Sequence, residues 1–241
     1  MKNIKPDGRL YLLPTTLGSF DTIHRVIPDY NTQIIHGLEI FIVEQVRTAR
    51  RFLSNLKHPA NIDKLVFYEL NKHTPESEVF SYLDSIKDGI SIGLLSEAGT
   101  PCVADPGAVV VKMAQERGIQ VIPLVGPNSI MLSLMASGFN GQNFVFHGYL
   151  PVDKHQLSKK LKEIEQVAYR TDQTQIFIET PYRNNQLFSS ILKACSPNTL
   201  LCIATDITLP TEIIQTLPLS IWKPKKFDFH KKPTVFLIYR P

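Results

Sequence analysis

Cysteine, tryptophan and long apolar runs are all scarce in this sequence. Its 241 residues include 3 cysteines (Cys102, Cys195, Cys202) and 1 tryptophan. The cysteines make no C-x-x-C pair and no zinc spacing, so neither a disulfide framework nor a zinc ribbon is expected. They read as small apolar filler, with Cys102 set aside because it falls in the most unusual loop of the chain. The longest apolar candidate, Gly118 to Val125, is strand-sized and contains Gln120 and Pro123, too short to span a bilayer. The opening Met1 to Asp7 carries charge but no apolar signal core, and a cytoplasmic protein is expected. There is no G-x-G-x-x-G fingerprint, no cluster of His and carboxylates at ligand spacing, no internal repeat and no low-complexity stretch. No metal is expected.

What is present is the composition of an ordinary folded protein, 43% hydrophobic and 20% charged. The 26 basic and 22 acidic residues leave a formal charge of +4, which permits a nucleic-acid partner without requiring one. The basic residues cluster: Arg47, Arg50 and Arg51 on one helical face, then Lys159, Lys160 and Lys162, then a group from Lys223 to Lys232. Each group alone reads as solvated surface. Together they suit a phosphate-bearing partner.

The first half alternates short apolar runs with amphipathic stretches. Strands are predicted at 9–13, 40–43, 65–68, 91–95 and 119–125. Helices are predicted at 45–56, 75–86 and 107–116, where apolar residues such as Val46, Ala49, Phe52, Leu53 and Leu56 recur at helical spacing. That alternation predicts a mostly parallel sheet covered on both faces. After Val125 the rhythm changes. Helices at 127–136, 154–168 and 184–194 separate strands at 143–149, 176–178 and 200–204. Two further strands, 212–216 and 234–239, follow with no helix between them, which predicts antiparallel pairing in an α+β domain. The reading is two domains, 1–125 and 126–241.

Three loops stand out. Ser96-Glu97-Ala98-Gly99-Thr100-Pro101-Cys102-Val103-Ala104-Asp105-Pro106-Gly107 leaves an apolar strand and ends in Asp-Pro, read as the N-cap and first residue of a helix. Open α/β sheets bind ligands at such carboxyl-end loops, and Gly99 lets backbone amides approach one closely. The same pattern equally describes a well-capped crossover. Val125-Gly126-Pro127-Asn128-Ser129 is a second strand–glycine–helix junction, suited to a carboxylate or hydroxyl or to a plain interdomain turn. Pro14 to Ser19 follows the first strand and by itself means little.

In combination and order these loops, followed by Phe144-Val145-Phe146-His147-Gly148-Tyr149-Leu150-Pro151 and Phe177-Ile178-Glu179-Thr180-Pro181-Tyr182-Arg183, resemble the tetrapyrrole methylase superfamily. Within it the chain is most similar to the ribosomal RNA small-subunit methyltransferase I branch, which typically reads S-D-A-G-T-P-x-x-x-D-P-G, P-G-P-S-A, F-x-G-[FY]-L-P and E-[ST]-P-x-R. This sequence has Glu97 for the aspartate and Asn128 in the second motif. Glu44-Gln45-Val46-Arg47 stands where the branch has E-D-T-R, and Tyr68-Glu69-Leu70-Asn71 where it has Y-x-E-H-N. Asp206-Ile207-Thr208-Leu209-Pro210 stands for E-L-T-K, without the lysine.

The resemblance implies a two-domain α/β fold with a mostly parallel N-terminal sheet and a mixed C-terminal sheet. It further implies S-adenosylmethionine held in the cleft between them, and a homodimer. Its implied cofactor contacts are Pro14, Leu17, Gly99, Thr100, Val103, Asn128, Ser129 and Thr234. The implied activity is methyl transfer, with an RNA ribose hydroxyl in ribosomal RNA as acceptor. The alternatives are a tetrapyrrole or other small-molecule acceptor, a binding module that has lost turnover, and a nucleotide-binding α/β protein. A hydroxyl acceptor calls for a base. Candidates are Glu44 and Glu69, each at a strand end, and Arg47 and Arg183 are candidates to grip a phosphate. Each carboxylate equally reads as a surface partner of a nearby cation, and His147 as a core histidine.

Overall fold

The computed structural model describes residues 8–71, 74–224 and 227–241. The opening stretch from Met1 to Asp7 and two members of the third basic group, Lys225 and Lys226, lie outside the described residues. The chain divides into two compact units, one ending at Asn128 and one beginning at Ser129.

The first unit is built on strands β1 (Leu10–Leu13), β2 (Ile40–Val43), β3 (Val66–Glu69), β4 (Ile92–Leu95) and β5 (Val121–Pro123). They form one sheet in the order β3-β2-β4-β1-β5, and every pair in it is parallel. Crossovers carry α1 (Ile23–Val26), α2 (Asp29–His36), α3 (Val46–Asn55), α4 (Glu76–Ser81) and α5 (Ala108–Glu116). Strand side chains alternate between the two faces, so the sheet feeds two separate cores. Leu13, Phe41 and Val43 pack with Ile35, Phe52 and Leu53 on one side, while Leu10, Ile42 and Ile92 pack with Leu83, Val110 and Ala114 on the other.

Three expectations for this unit are corrected. A 3-10 turn, α1 and α2 fill residues 20–36, where no element was predicted. The predicted helix over 75–86 is two pieces, α4 and a 3-10 segment over Asp84–Asp88. The strand expected at 119–125 shrinks to three residues, because Leu124 N–H is the last to reach β1, donating to the Leu12 carbonyl at 3.0 Å.

The second unit contains α6 (Ser129–Ser137), β6 (Phe144–Tyr149), α7 (Lys154–Thr171), β7 (Thr174–Ile178), α8 (Asn184–Ala194), β8 (Leu200–Thr205), β9 (Ile213–Pro218), α9 (Leu219–Trp222) and β10 (Thr234–Tyr239). Its sheet runs β6-β7-β10-β8-β9, with β6 parallel to β7 and the other pairs antiparallel; β8 and β9, which follow one another directly, pair as predicted, whereas β9 and β10 are not neighbours. One turn of helix, α9, corrects the helix-free reading between the last two strands. It exists because Leu219 and Trp222 have core to enter, and the indole N–H donates to the Leu201 carbonyl at 2.9 Å. The helix expected from Pro127 begins two residues later, at Ser129. No helix among the described residues is long and apolar enough to cross a membrane.

Candidate active site

The register of the first sheet brings three strand ends level. Leu13 of β1 pairs with Leu95 of β4, and Leu12 pairs with Pro123 of β5. The chain leaving each strand is therefore delivered to one edge, where open α/β sheets receive ligands.

The loops that leave these strands are stitched together. Thr15 N–H donates to the Gly99 carbonyl at 2.9 Å, and Gly99 N–H donates to the Thr16 carbonyl at 3.3 Å. The buried Thr15 hydroxyl donates to the Ser96 carbonyl at 3.3 Å, and the Ser96 hydroxyl donates to the Gly99 carbonyl. Asn128 joins from the third loop, its Nδ2 donating to Thr100 Oγ1 at 2.6 Å. Gly99 has φ +72, and a Cβ there would lie 2.8 Å from Leu17 Cδ2 and 3.0 Å from the Pro127 carbonyl oxygen. Only glycine lets the three turns close to this spacing. Gly126 is packed just as tightly against the Pro14 ring.

Of the implied contacts in this unit, Pro14 and Gly99 are buried, Leu17, Thr100 and Asn128 are half-buried, and Val103 is 45% exposed. The structure brings five of these six into the stitched region: Pro14, Leu17, Gly99, Thr100 and Asn128. Val103 stands in the same loop between two left-handed residues, Cys102 (φ 69) and Ala104 (φ 56). Asp105 corrects the expected N-cap. Its Oδ1 accepts from Cys102 N–H at 3.0 Å and Gly107 N–H at 2.8 Å, so it closes the strained loop on itself. The α5 N-cap is Gly107, without a side-chain bond. The Cys102 thiol is pushed up to about 11 by burial and then by Asp105, which leaves it inert as a nucleophile.

Beside these loops lies a carboxylate group that the sequence reading did not single out as a site. Glu97 lies beside the first turn of α3, where the Thr48 hydroxyl donates to Gln45 Oε1 at 2.6 Å. Burial and then the charge of Glu44 hold the Glu97 carboxyl above the ordinary value, and Asp105 adds to this. Glu44 is raised in turn, first by burial and then by Asp105. Glu44, Thr48, Ser96 and Glu97 line one small recess with Thr15 and Phe20. The two candidate bases thus differ. Glu44 follows β2, which neighbours β4, whereas Glu69 ends the outer strand β3 and accepts from Asn71 Nδ2 at 3.0 Å. Of the arginines, Arg47 is exposed in the first turn of α3. Arg50 and Arg51 diverge, Arg50 to Asp63 and the Phe67 ring, Arg51 to the Phe20 ring.

The second unit also brings strand ends together at one edge. Register sets Val235 opposite Ile178 and Thr234 opposite Thr205, so the ends of β7 and β8 meet the start of β10. Thr234 is buried and hydrogen-bonded to Thr205, and Ser129 opens α6, half-buried. Arg183 is already engaged, its Nη2 lying 3.2 Å from the buried Glu179 carboxylate. Asp206 and Thr208 hold left-handed backbones (φ 52 and 73) in the loop where the lysine of the family motif is missing. Lys232 Nζ reaches the same Asp206 carboxylate at 3.8 Å from β10's approach, putting an ammonium there by another route. His147, expected in the core, is only half-buried, with Nε2 2.8 Å from Gln175 Oε1.

No family model matches the chain. Individual proteins do. The ribosomal RNA small subunit methyltransferase I of Vibrio cholerae is 30% identical over 217 residues, covering 89% of this chain and 71% of that protein. The chain belongs to the ribosomal RNA small subunit methyltransferase I family. The protein of that name from Bacillus subtilis is 34% identical over 186 residues, 76% of this chain and 59% of its own length. This family member is a methyltransferase, and its fold is that of solved tetrapyrrole methylases. The methyltransferase CobJ matches with TM-score 0.64 at 16% identity, over 97% of this chain and 94% of that one. Cobalt precorrin-4 methyltransferase CbiF matches with TM-score 0.61 at 12% identity, over 96% and 94%. At those identities the likeness speaks for the fold alone.

Proposed function

We propose that this methyltransferase takes its methyl group from S-adenosylmethionine and delivers it to a ribose hydroxyl of ribosomal RNA. The observation that carries the donor is the convergence at Gly99 of the turns after β1, β4 and β5. Left-handed glycine backbone, the partly exposed apolar side chains of Leu17 and Val103, and the Thr100–Asn128 pair suit a ligand with both apolar and polar faces. In the first unit Pro14, Leu17, Gly99, Thr100, Val103 and Asn128 are the proposed contacts, and the resemblance assigns Ser129 and Thr234 to the same donor. When bound, S-adenosylmethionine supplies a methyl carbon made electrophilic by its sulfonium.

The chain's share is alignment, exclusion of water and handling of one proton. Of the two candidate bases, Glu44 is favoured. Its raised carboxyl pKa brings its proton affinity nearer to neutrality, and it lies in the group with Glu97 and Asp105. Glu69 sits on the outermost strand, already accepting from Asn71. Family membership favours RNA as acceptor over a tetrapyrrole or other small molecule, because the tetrapyrrole likeness is at the level of fold. A cytoplasmic homodimer is the form proposed.

The test is purified protein with labelled S-adenosylmethionine and, in separate reactions, small ribosomal subunits and small-molecule pools. Label in the RNA of the subunit is the expected result. Label confined to small molecules overturns the acceptor, and absence of heat on titration with S-adenosylhomocysteine overturns the donor.

A further inference from the structure

At the edge of the second sheet one aromatic ring is held out to solvent on an unusually well-anchored turn. Tyr182 lies between β7 and α8 and is 69% exposed. Its turn is fixed from below by the ion pair of Glu179 with Arg183 and by Arg183 N–H donating to the Thr180 carbonyl at 2.8 Å. The segment approaching β10 is fastened to the same turn. Lys231 N–H donates to the Pro181 carbonyl at 3.0 Å, Asn184 Nδ2 donates to the Lys232 carbonyl at 2.7 Å, and Phe229 N–H donates to Asn185 Oδ1 at 2.8 Å. These bonds hold Lys231 at φ 61, a left-handed conformation that a lysine keeps only when its surroundings over-determine it. The result is a cluster of rings and cations. The His230 ring meets Tyr182 edge-on at 5.7 Å, and the Lys231 ammonium lies 6.0 Å from the Tyr182 ring centre.

Two of the three acidic groups at this edge are ion-paired and the third is held by neutral N–H donors. Glu179 is paired with Arg183, Asp206 with Lys232, and Asp228 accepts from Asn185 Nδ2 and His230 N–H. Lys231 makes no ion pair among the described residues and carries its charge to the surface. Tyr149, 60% exposed, ends β6 opposite Ile178 and adds a second ring to the same edge. An exposed ring on rigid backbone beside an unneutralised ammonium is poorly explained by stability, since neither group buries surface. It matches what single-stranded RNA requires: a planar face for a base and a cation for the adjoining phosphate.

We propose that Tyr182 and Lys231 form a landing platform for an unpaired nucleotide of the acceptor RNA, the base stacking on Tyr182 and the neighbouring phosphate meeting Lys231. The assignment rests on the RNA reading given above and specifies which part of the chain grips that RNA. The platform adjoins Thr234, whose hydroxyl donates to the Lys232 carbonyl at 3.0 Å, so the bound nucleotide sits beside the start of β10.

The test uses the full chain carrying Tyr182→Trp and a short single-stranded oligoribonucleotide of adenosine and uridine. The chain's own tryptophan, Trp222, is 1% exposed and supplies a constant background. Quenching of the new indole on titration is expected. Tyr182→Ala should weaken oligonucleotide binding about tenfold, and Lys231→Ala should lower the slope of log affinity against log salt by roughly one. Affinity for S-adenosylhomocysteine should stay unchanged in both, which reports an intact fold. An oligonucleotide that binds, by anisotropy of an attached dye, without quenching Tyr182→Trp overturns the platform and leaves RNA as acceptor. An unmodified protein that binds no RNA and labels no ribosomal subunit overturns the acceptor and the platform together.

Discussion

Asn128 Nδ2 donates to Thr100 Oγ1 at 2.6 Å, tying the loop after β5 to the loop after β4 across 28 residues of sequence. A hydrogen bond of this kind contributes about 0.5–1.5 kcal/mol net. Asn128→Ala is therefore expected to weaken S-adenosylhomocysteine binding roughly threefold to tenfold by calorimetry. Unchanged affinity would show that the loops hold their shape without it.

Gly99→Ala is expected to do more damage. Left-handed backbone alone costs an alanine about 1–2 kcal/mol, and its methyl group would also press on Leu17 Cδ2 and the Pro127 carbonyl. Urea unfolding should show the lost stability, and calorimetry a donor affinity too weak to measure. A folded variant that binds S-adenosylhomocysteine normally would remove Gly99 from the proposed site.

Glu44→Gln and Glu69→Gln separate the two candidate bases. The first is expected to slow methyl transfer by about a hundredfold or more, the range typical of a lost general base, with donor affinity unchanged. It should also flatten the acid limb of the pH–rate profile. The second should leave the rate within about twofold, because Glu69 is not in the Glu44, Glu97 and Asp105 group. The reverse order would transfer the role to β3.

The Glu97 carboxyl titrates above its ordinary 4.5 in the fold, through burial first and the charge of Glu44 second. Its protonated form is the one the fold favours. Stability from this group is present below the unfolded value and is lost as pH rises through the folded one. Glu97→Gln keeps the size and shape of the side chain and sheds the charge. Its melting temperature should exceed the unmodified protein's near neutral pH, and the gap should close as the pH falls toward 4.5. A gap that widens in acid would contradict the sign.

Much of the fold was legible because each strand of the first unit is a short apolar run ended by polar or glycine-rich chain. Residues 20–36 were not, since Pro28 cuts the stretch and its elements are three, four and eight residues long, too short to show a helical period on their own. The over-long helix at 75–86 had good periodicity. Its apolar residues Val79, Tyr82, Leu83 and Ile86 are buried as expected, but the backbone tightens after Ser81 and turns out at Gly89 with φ 82. The three loops could be read from glycine and proline punctuation at strand ends. Glu97 could not, because its neighbours in the recess, Glu44 and Thr48, follow another strand and only the fold brings them together.

The strand order has one consequence for how the chain is made. β1 is made before both of its sheet neighbours, β4 and β5, which are encoded some eighty to a hundred and ten residues later. At ordinary translation speeds of roughly 5–20 residues per second, Leu10 to Leu13 wait on the order of ten seconds with both backbone edges open. Nascent chain in that interval is exposed to mispairing along Leu-Tyr-Leu-Leu.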